Sequence, residues 1–454
     1  MVVQKFGGTS VADPAAIRRL IEIVRTARAR DGRGPAVVVS AMSGVTDVLL
    51  GIASAAGSGS GTEEALAKIE QLRQRHLAAA GELAAPADQE ALATDINSTL
   101  DQLAAVARAL AVLREVSPRT LDVIAAMGEL LSSRLVAAAL NAAGVEAQWV
   151  DARRAIVTSG DHTRATPLTV ETARALRATV GAALDAKRVP VLGGFVGATV
   201  DGHTTTLGRG GSDYSGALVG AGIGAREIQI WTDVDGMLTA DPRVIAKPRL
   251  VPRLSFAEAA ELAYFGAKVL HPSTILPAVE RDIPVRILNS LRPEGSGTLI
   301  TAEPSLDGSP LTGLASKRNV IVVDITSTRM LMAYGFLRRV FEVFERFSTA
   351  VDVVTTSEVS VSVTVDDPKS LPVITEALSE FAEVSTEREM ALLCAVGDRL
   401  RDEPEIAARV VSVLEEVPLR MISQAASRRN ITVILRQADL LHAMNRLHEE
   451  FFGT

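Results

Sequence analysis

The sequence predicts an α/β fold with a mainly parallel sheet, followed by two small units of alternating strands and helices. Two observations predict it. An apolar stretch at 2–6 ends at Gly7-Gly8, a helical pattern covers 15–29, and a second apolar stretch follows at 37–39. Strand, glycine turn, helix and strand in this order are typical of the start of a parallel sheet, which binds ligands where its strands end. Beyond residue 310 the order of predicted strands and helices changes, and the new order occurs twice.

The composition is that of a globular protein large enough for two or three domains. Of 454 residues, 47% are hydrophobic and 22% are charged, and the formal net charge of −7 does not indicate nucleic-acid binding. The single cysteine, Cys394, excludes an internal disulfide and fits a reducing compartment. No uninterrupted apolar run reaches the ~18–20 residues of a membrane span, and the first residues run directly into a predicted strand. We therefore expect a cytoplasmic protein without a membrane or nucleic-acid partner.

Helices are predicted in the middle of the first domain. Residues 62–142 are rich in Ala, Leu, Glu, Gln and Arg, with apolar positions at helical spacing and breaks near 84–87 and 117–118. Further strands are predicted at 147–150, 189–192 and 228–231. Residues 294–310 combine Gly, Ser, Pro and Asp with few apolar side chains, which is typical of a linker.

After this linker, two units of the pattern βαββα are predicted. The first has strands at 320–325, 351–355 and 359–365 and helices at 336–347 and 371–381. The second has strands at 391–396, 420–423 and 431–435 and helices at 405–414 and 438–451. The two units share a pattern and not residues, which indicates duplication. Small units of this kind often bind a small molecule at a paired interface.

The stretch Thr204–Ser215 (TTTLGRGGSDYS) has the composition of an anion site at the start of a helix. Its glycines let backbone N–H groups approach an anion, and a helix start attracts negative charge. Arg209 adds a fork of donors that matches a carboxylate or a phosphate. Because Asp213 is a carboxylate among groups that bind anions, we expect it to bind or orient a cation. The alternative is a polar turn in which a Ser or Asp caps the helix.

Lys5 lies at the end of the first predicted strand, beside a two-glycine turn. This arrangement could hold a polyphosphate through the lysine charge and the backbone N–H groups, although neither GxxxxGK[ST] nor a GxGxxG turn between a strand and a helix occurs. The alternative is a surface lysine at a strand edge.

Other charged residues carry weaker signals. Thr232-Asp233 ends a predicted strand and could contact ribose and phosphates, or form a simple turn. Lys268 lies in an apolar segment and is expected to meet an anion or to extend to solvent. His271 has no metal-ligand spacing around it, and Glu129 is placed at the start of a helix, where the helix dipole favours a carboxylate.

Together these motifs resemble the aspartate kinases of the amino-acid-kinase fold, over nearly the whole chain and in the order of that family. The pattern is most similar to the monofunctional, lysine-sensitive type with two carboxyl-terminal ACT units. The resemblance implies a three-layer kinase domain at 1–293, a linker at 294–310, and ACT units at 311–385 and 386–454, the second of which can take a strand from 311–320. The motifs that carry it are Lys5–Ala12 (KFGGTSVA), Ser40–Thr46 (SAMSGVT), Gly128–Leu130, Thr204–Ser215, Trp231–Gly236, Asp241–Arg243, Phe265–Pro272 (FGAKVLHP) and Thr355–Val361 (TTSEVSV).

The family resemblance implies transfer of the γ-phosphoryl group of MgATP to the β-carboxylate of L-aspartate, the first step towards lysine, threonine and methionine. A carboxylate is already ionised at neutral pH, so no general base is needed. Positioning and charge neutralisation therefore dominate. Because water would destroy the acyl phosphate, we expect the cleft to close during turnover.

The resemblance also implies the residues that act. Lys5, Arg209 and Asp213 are the implied catalytic residues; Arg209 pairs with the α-carboxylate of aspartate, Glu129 with its ammonium, and Ser212 and Asp213 orient the nucleophile or Mg²⁺. Leu238 stands where many relatives carry a tyrosine near the adenine. The implied aspartate ligands are Ser40, Thr46, Glu129, Arg209 and Ser212. The implied ATP ligands are Lys5, Phe6, Gly7, Gly8, Gly210, Gly211, Thr232, Asp233, Leu238, Arg243, Lys268 and Val269.

The family further implies feedback regulation by an amino acid, L-lysine, at the first ACT unit, and a homodimer or dimer of dimers formed through the ACT units. Ala333 and Ala350 replace serines of the family pattern, and each lost hydroxyl contact weakens lysine binding by about 1 kcal/mol. The implied regulatory residues are Met330, Ala333, Gly335, Phe336, Leu337, Ala350, Val351, Asp352, Ser357 and Glu358.

Two other functions remain open at this point. A kinase of the same fold that acts on glutamate or acetylglutamate would share the phosphate-binding glycines, but it is not expected to carry the 265–272 motif together with paired ACT-like units. A non-catalytic amino-acid sensor would have lost catalytic residues, whereas Lys5, Arg209 and Asp213 are all present.

Overall fold

The computed structural model describes residues 1–266, 270, 272–303, 310–327, 334–398, 400–424 and 427–453. The chain forms two compact units. The first comprises 1–237, 252–256 and 269–303, and the second comprises 238–251, 257–268 and 304–454. This division differs from the predicted single boundary at 294–310, because two earlier segments already belong to the second compact unit.

The first unit contains the predicted parallel sheet. Its strands are β1 (Val2–Phe6), β2 (Ala36–Val39), β3 (Ala147–Trp149), β4 (Val189–Gly193), β5 (Val196–Ala198), β6 (Thr204–Thr206), β7 (Glu227–Thr232), β8 (Arg253–Ser255), β9 (Val285–Asn289) and β10 (Thr298–Thr301). Its helices are α1 (Pro14–Asp31), α2 (Val45–Gly57), α3 (Thr62–Leu83), α4 (Pro86–Leu113), α5 (Pro118–Ala142), α6 (Thr169–Leu176), α7 (Ala182–Asp185), α8 (Gly211–Ile223) and α10 (Leu276–Val279); α9 (Phe256–Tyr264) lies in the second unit except for its first residue.

Eight of these strands form one sheet in the order β3-β4-β2-β1-β7-β9-β10-β8, and β5 and β6 form a separate hairpin. All neighbours in the large sheet are parallel except β9 and β10. The predicted parallel sheet is thus confirmed. The predicted linker is wrong at residues 298–301, which form β10. This strand is only four residues long and is surrounded by turn residues, so its local pattern was too weak to predict.

Helix boundaries follow local capping. The side chain of Asp13 accepts the N–H of Ala16 at 2.8 Å, and Gly32 ends α1 with a left-handed φ of 65°. The breaks predicted near 84–87 and 117–118 are confirmed, because α3 ends before the first and Ser117 caps α5 at the second.

Helices cover both faces of the large sheet, which confirms the three-layer arrangement. Phe6 and Trp231 pack into a core with α1 to α5, and their rings stack with centroids 6.1 Å apart. Because side chains alternate along a strand, Lys5 faces the opposite side, against α8. A Cβ on Gly216 of α8 would lie 3.2 Å from the Cβ of Lys5. The sheet therefore directs the lysine into the layer that contains α8.

By length and composition, α5 could cross a membrane. However, 83% of its apolar window is buried inside the first unit, as in a core helix. Its buried residues include Leu131, Leu135 and Leu140, which pack in the core beneath the sheet. The apolar character of α5 is therefore explained by its place in the fold.

The second unit contains one antiparallel sheet of six strands in the order β12-β13-β11-β14-β16-β15. The strands are β11 (Gly313–Thr326), β12 (Val354–Thr356), β13 (Ser360–Val365), β14 (Glu383–Val396), β15 (Leu419–Ser423) and β16 (Asn430–Arg436). The helices are α11 (Phe336–Arg346), α12 (Leu371–Ser379), α13 (Pro404–Val413) and α14 (Leu440–Phe452).

Two βαββ units share the long strands β11 and β14. The second half of β11 packs into one core with α11 and α12, which contains Val323 and Phe344. Its first half, including Leu314, packs into another core with α13 and α14. The second βαββ unit therefore takes its edge strand from the first half of β11, which precedes the first βαββ unit in the sequence. The two predicted units are thus interlaced in one sheet.

The core of the first βαββ unit provides a test of this packing. Phe344 is 2% exposed in the core, whereas Phe341 on the same helix is 38% exposed. We expect Phe344→Ala to lower the free energy of unfolding of this sheet by about 3–5 kcal/mol, because it removes a buried ring and leaves a cavity. We expect Phe341→Ala to cost less than about 1 kcal/mol. Urea unfolding followed by circular dichroism measures both, and equal losses would contradict the packing.

Candidate active site

A cleft of about 700 Å³ lies in the first unit where the central parallel strands end. Lys5 ends β1, Ser40 follows β2, and Thr232 ends β7, so the parallel order brings three separate segments to one edge. Predicted residues that line this cleft are Lys5, Gly7, Gly8, Ser40, Thr46, Glu129, Arg209, Gly210, Gly211, Ser212, Asp213, Thr232 and Asp233.

Lys5 and Asp213 form an ion pair at the centre of the cleft. Their Nζ and Oδ1 atoms are 2.7 Å apart, and both side chains are largely buried. Asp213 lies in the first turn of α8, which begins after Gly210 in a left-handed conformation with φ of 73°. Lys5 is on a central strand, 7% exposed, so the alternative of a surface lysine at a strand edge is excluded. A buried ammonium beside a helix start is suited to bind phosphate oxygens.

The two-glycine turn after Lys5 is held from both sides. The N–H of Gly7 donates to the carbonyl of Trp231 at 2.9 Å, and a Cβ on Gly8 would lie 3.2 Å from the carbonyl of Ala41. The backbone of this turn therefore lines the cleft at a distance that a side chain would prevent. Phe6 does not line the cleft: its ring is fully buried against Trp231, so its predicted contact with ATP is not supported by its side chain.

Glu129 lies in the interior of α5 and not at a helix start, so the predicted helix-dipole role is wrong. It is 3% exposed, and its Oε2 atom has no hydrogen-bond partner among the described residues. Burial raises the pKa of its carboxyl to about 8, and a backbone hydrogen bond at Ala41 and the charge of Lys5 oppose this shift only in part. The glutamate is close to the end of β4, because a Cβ on Gly193 would lie 2.9 Å from its carbonyl oxygen. A buried carboxyl with one oxygen atom unbonded is suited to receive a cationic group.

Arg209 reaches the cleft from a loop between two left-handed glycines, Gly208 with φ of 77° and Gly210 with φ of 73°. Its side chain is exposed, and no carboxylate within the described ranges pairs with it. A guanidinium that is free of internal partners can accept a carboxylate in bidentate geometry. Arg209 and Glu129 thus provide one positive and one negative partner on the walls of the same cleft.

The sequence reasoning missed Asp122, which also lines the cleft. Its carboxylate is fully buried and accepts hydrogen bonds from Thr206, Thr163 and His162. It precedes Glu129 by two helical turns on the same face of α5, a spacing from which it could have been found. Phe195, with a left-handed φ of 65°, is a second lining residue that no local motif indicated.

Two of the predicted ATP ligands belong to the second compact unit, and two lie outside the described residues. Leu238 and Arg243 belong to the second compact unit, where the Arg243 guanidinium pairs with Asp241 at 2.6 Å. Lys268 and Val269 lie outside the described residues.

The predicted regulatory residues lie at two ends of the first βαββ unit. Gly335, Phe336 and Leu337 are at the start of α11, and Ser357 and Glu358 are in the turn between β12 and β13. Ala350, Val351 and Asp352 lie between α11 and β12. Met330 and Ala333 lie outside the described residues.

The two ends are separated along β13. Ser357 bonds to Ser360 at 2.7 Å, whereas the N–H of Asp352 donates to the carbonyl of Thr364 at 3.0 Å. Four residues of strand separate these contacts, a distance of about 13 Å. Asp352 is engaged there by the Lys317 ammonium at 3.0 Å and by the Tyr264 hydroxyl at 3.2 Å. One chain therefore does not gather all the predicted regulatory residues around one small ligand.

The raised pKa of Glu129 predicts a dependence of stability on pH. Between the ordinary value of 4.5 and about 8, the folded protein holds a proton that the unfolded chain releases, so this carboxyl lowers stability as the pH rises. We expect Glu129→Gln to remove this slope of about 1.4 kcal/mol per pH unit and to gain stability relative to the unaltered protein from about pH 5 to about pH 8. Urea unfolding across this range measures it, with the exposed Glu90→Gln as control. A difference in unfolding free energy between Glu129→Gln and Glu90→Gln that stays constant across this pH range would contradict the burial of a protonated carboxyl.

Comparisons with known proteins agree with this geometry. The model of the amino acid kinase family matches residues 1–289, and a model of the ACT domain matches 393–451. Aspartokinase 3 of Arabidopsis thaliana is 38% identical over 100% of this chain and 82% of its own length. The lysine-sensitive aspartokinase 3 of Escherichia coli is 36% identical over 100% of this chain and 99% of its own. The crystal structure of E. coli aspartokinase III with aspartate and ADP matches with a TM-score of 0.84 over 100% of both chains, at 35% identity. The chain therefore belongs to the amino acid kinase family and, within it, to the aspartokinases.

Proposed function

We propose that this protein transfers the γ-phosphoryl group of ATP to the β-carboxylate of L-aspartate and releases ADP and 4-phospho-L-aspartate. The observation that carries this proposal is the charge arrangement of one cleft: a buried Lys5–Asp213 pair between glycine turns, with Arg209 and Glu129 on its walls. Aspartate is a small zwitterion with a second carboxylate, and ATP supplies the polyanion. The cleft offers complementary groups for both.

The nucleotide phosphates would lie against the turn at Gly7-Gly8 and the start of α8. The N–H of Gly7 is bonded to Trp231, so the turn would contribute the N–H of Gly8, and the dipole of α8 adds positive potential at Gly210-Gly211. Lys5 contributes a full charge between them. Because the reaction brings two anions together, this fixed positive potential lowers the barrier by stabilising the charge of the transferring group.

The amino acid would be held by opposite charges at its α-carbon. Arg209 would pair with the α-carboxylate, and Glu129 would lose its proton to bind the ammonium group. The hydroxyls of Ser40, Thr46 and Ser212 add hydrogen bonds along the same walls. The β-carboxylate is already ionised at neutral pH, so the site needs no general base, and orientation of the two substrates supplies the catalysis.

A magnesium ion fits this cleft as an ion carried by the nucleotide. Within the described ranges, no group of three or more metal-ligating side chains occurs, so the protein has no all-protein metal cage there. Magnesium is commonly bound through one or two carboxylates together with substrate phosphates. Asp213 and Asp233 are the carboxylates that line the nucleotide end of the cleft and would hold it. The ion would neutralise phosphate charge.

We further propose that L-lysine regulates this enzyme at the first βαββ unit and that the enzyme is a homodimer, or a dimer of dimers, built through these units. Support comes from the two groups of regulatory residues, which are about 13 Å apart in one chain. A second copy in antiparallel contact would bring Asp352 of one chain to the α11 end of the other. The Lys317–Asp352 ion pair indicates that this carboxylate favours an ammonium partner.

The presence of a single cysteine, Cys394, with no second cysteine in the sequence to pair with, supports our inference of a cytoplasmic location. The thiol is fully buried in β14, and burial raises its pKa to about 12. A buried thiol of this kind is an inert core residue and not a redox site.

The first test of this function is directed at the central ion pair. We expect Lys5→Ala and Asp213→Ala each to reduce aspartate-dependent ADP formation by about 10²–10³-fold or more, because each removes fixed charge from the reacting groups. Lys68→Ala, in an exposed pair on α3, serves as control. A coupled ADP assay with L-aspartate, L-glutamate and N-acetylglutamate measures activity, and thermal unfolding checks the fold. Preferential turnover of glutamate or acetylglutamate would identify a different kinase of this fold.

The second test concerns the regulator. We expect L-lysine to inhibit the enzyme and Asp352→Asn to raise the lysine concentration for half inhibition at least about tenfold, through loss of an ion pair to the ligand. Lys317→Met should lower that concentration roughly fivefold, because its ammonium no longer competes for Asp352. The exposed Lys369→Met is the control. Inhibition by L-threonine alone would reassign the regulator, and inhibition by neither would contradict the regulatory proposal.

A further inference from the structure

Asp122 is a fully buried carboxylate at the wall of the cleft, and several donors converge on it. Its Oδ1 accepts the Thr206 hydroxyl at 2.5 Å and the N–H of Thr163 at 3.0 Å. Its Oδ2 lies 2.6 Å from Nδ1 of His162 and 3.1 Å from the N–H of Thr163. Burying a carboxylate is costly unless donors replace its water. This site supplies them from two segments that are distant in sequence.

These two segments are the loop 161–164 and the end of β6. Thr163 adopts a left-handed φ of 71°, a conformation that threonine rarely takes. Its N–H bond to Asp122 offsets that cost and holds the loop in place. The loop is also joined to β6 by the N–H of Ala165, which donates to the carbonyl of Thr206 at 2.9 Å.

The same loop touches the segment that carries Arg209. A Cβ on Gly208 would lie 3.2 Å from the carbonyl oxygen of Thr163, so the loop packs directly against the residue before Arg209. Thr206, whose hydroxyl donates to Asp122, lies three residues before Arg209 in the same segment. The course of the backbone into Arg209 is therefore fixed by a bond to Asp122 and by contact with a loop that Asp122 holds.

We propose that Asp122 is a positioning residue for the amino-acid end of the cleft, acting through Thr206 and the loop 161–164 to set the place of Arg209. The inference rests on the proposed function, in which Arg209 binds the α-carboxylate of aspartate. Asp122 and Glu129 lie on one face of α5, two turns apart. The helix therefore sets the spacing between the group that binds the ammonium and the group that fixes the arginine.

The test separates positioning from general stability by comparing the two substrates. We expect Asp122→Asn and Thr206→Val each to raise KM for aspartate about tenfold, the effect of one lost hydrogen bond to a charged group. We expect KM for ATP to stay within about twofold, because the glycine turn and Lys5 do not contact this network. Thr206→Ser keeps the hydroxyl and should restore KM for aspartate to the unaltered value.

Hydrogen exchange of the backbone amides at 161–165 in the ligand-free protein provides a readout that does not depend on activity. We expect faster exchange in Asp122→Asn, because the amide keeps only one of the two oxygens that accept the N–H of Thr163. Equal rises in both KM values, unchanged KM for aspartate in Thr206→Val, or unchanged exchange would each overturn the inference. If the unaltered protein forms no ADP with aspartate, the proposed function fails, and the exchange measurement alone then decides whether Asp122 holds the loop.

Discussion

The ion pair between Lys5 and Asp213 is the interaction on which the rest of the cleft depends. Lys5 lies on a central strand with parallel neighbours on both sides, and its side chain is largely buried at the wall of the cleft. Asp213 compensates it from the first turn of α8, and removal of one partner of such a buried pair costs about 3–5 kcal/mol. The pair therefore couples the end of β1 to the start of α8. The glycine turn directly follows the strand that carries Lys5, and the arginine loop directly precedes α8.

Helix α5 sets the second constraint, because three of its residues fix three different walls of the cleft. The hydroxyl of Ser132 donates to the carbonyl of Ser40 at 2.7 Å, Glu129 lies against the end of β4, and Asp122 holds the end of β6. These residues share one face of the helix. The rigidity of a core helix is thus transferred to loops that are far apart in sequence. The helix therefore holds Glu129 at the wall of the cleft and supports, through Asp122, the segment that leads to Arg209.

Local signals predicted the elements well and long-range contacts poorly. The break at 117–118 predicted a helix limit, and the glycine turns predicted where ligands bind. Asp122 escaped prediction because its function depends on Thr163 and Thr206, which are distant in sequence and carry no motif. Glu129 was predicted at a helix start, but it lies inside α5, where Gly128 allows close packing against Ala41: a Cβ there would lie 2.8 Å from the Cβ of Ala41. No local sequence pattern indicates the exchange of segments between the two compact units, in which 238–251 and 257–268 belong to the second unit.

That exchange bears directly on regulation. The segments 238–251 and 257–268, which carry the proposed nucleotide ligands Leu238, Arg243 and Lys268, belong to the same compact unit as the regulatory sheet. Ala240 and Ile245 are part of the core formed with α13 and α14, and the N–H of Leu314 on β11 donates to the carbonyl of Thr239 at 2.7 Å. Allosteric control needs a physical element whose state both ligands influence. Within the second unit, a regulator that alters the sheet would therefore act directly on the segment 238–251, because Ala240 and Ile245 of that segment pack in the core of the sheet.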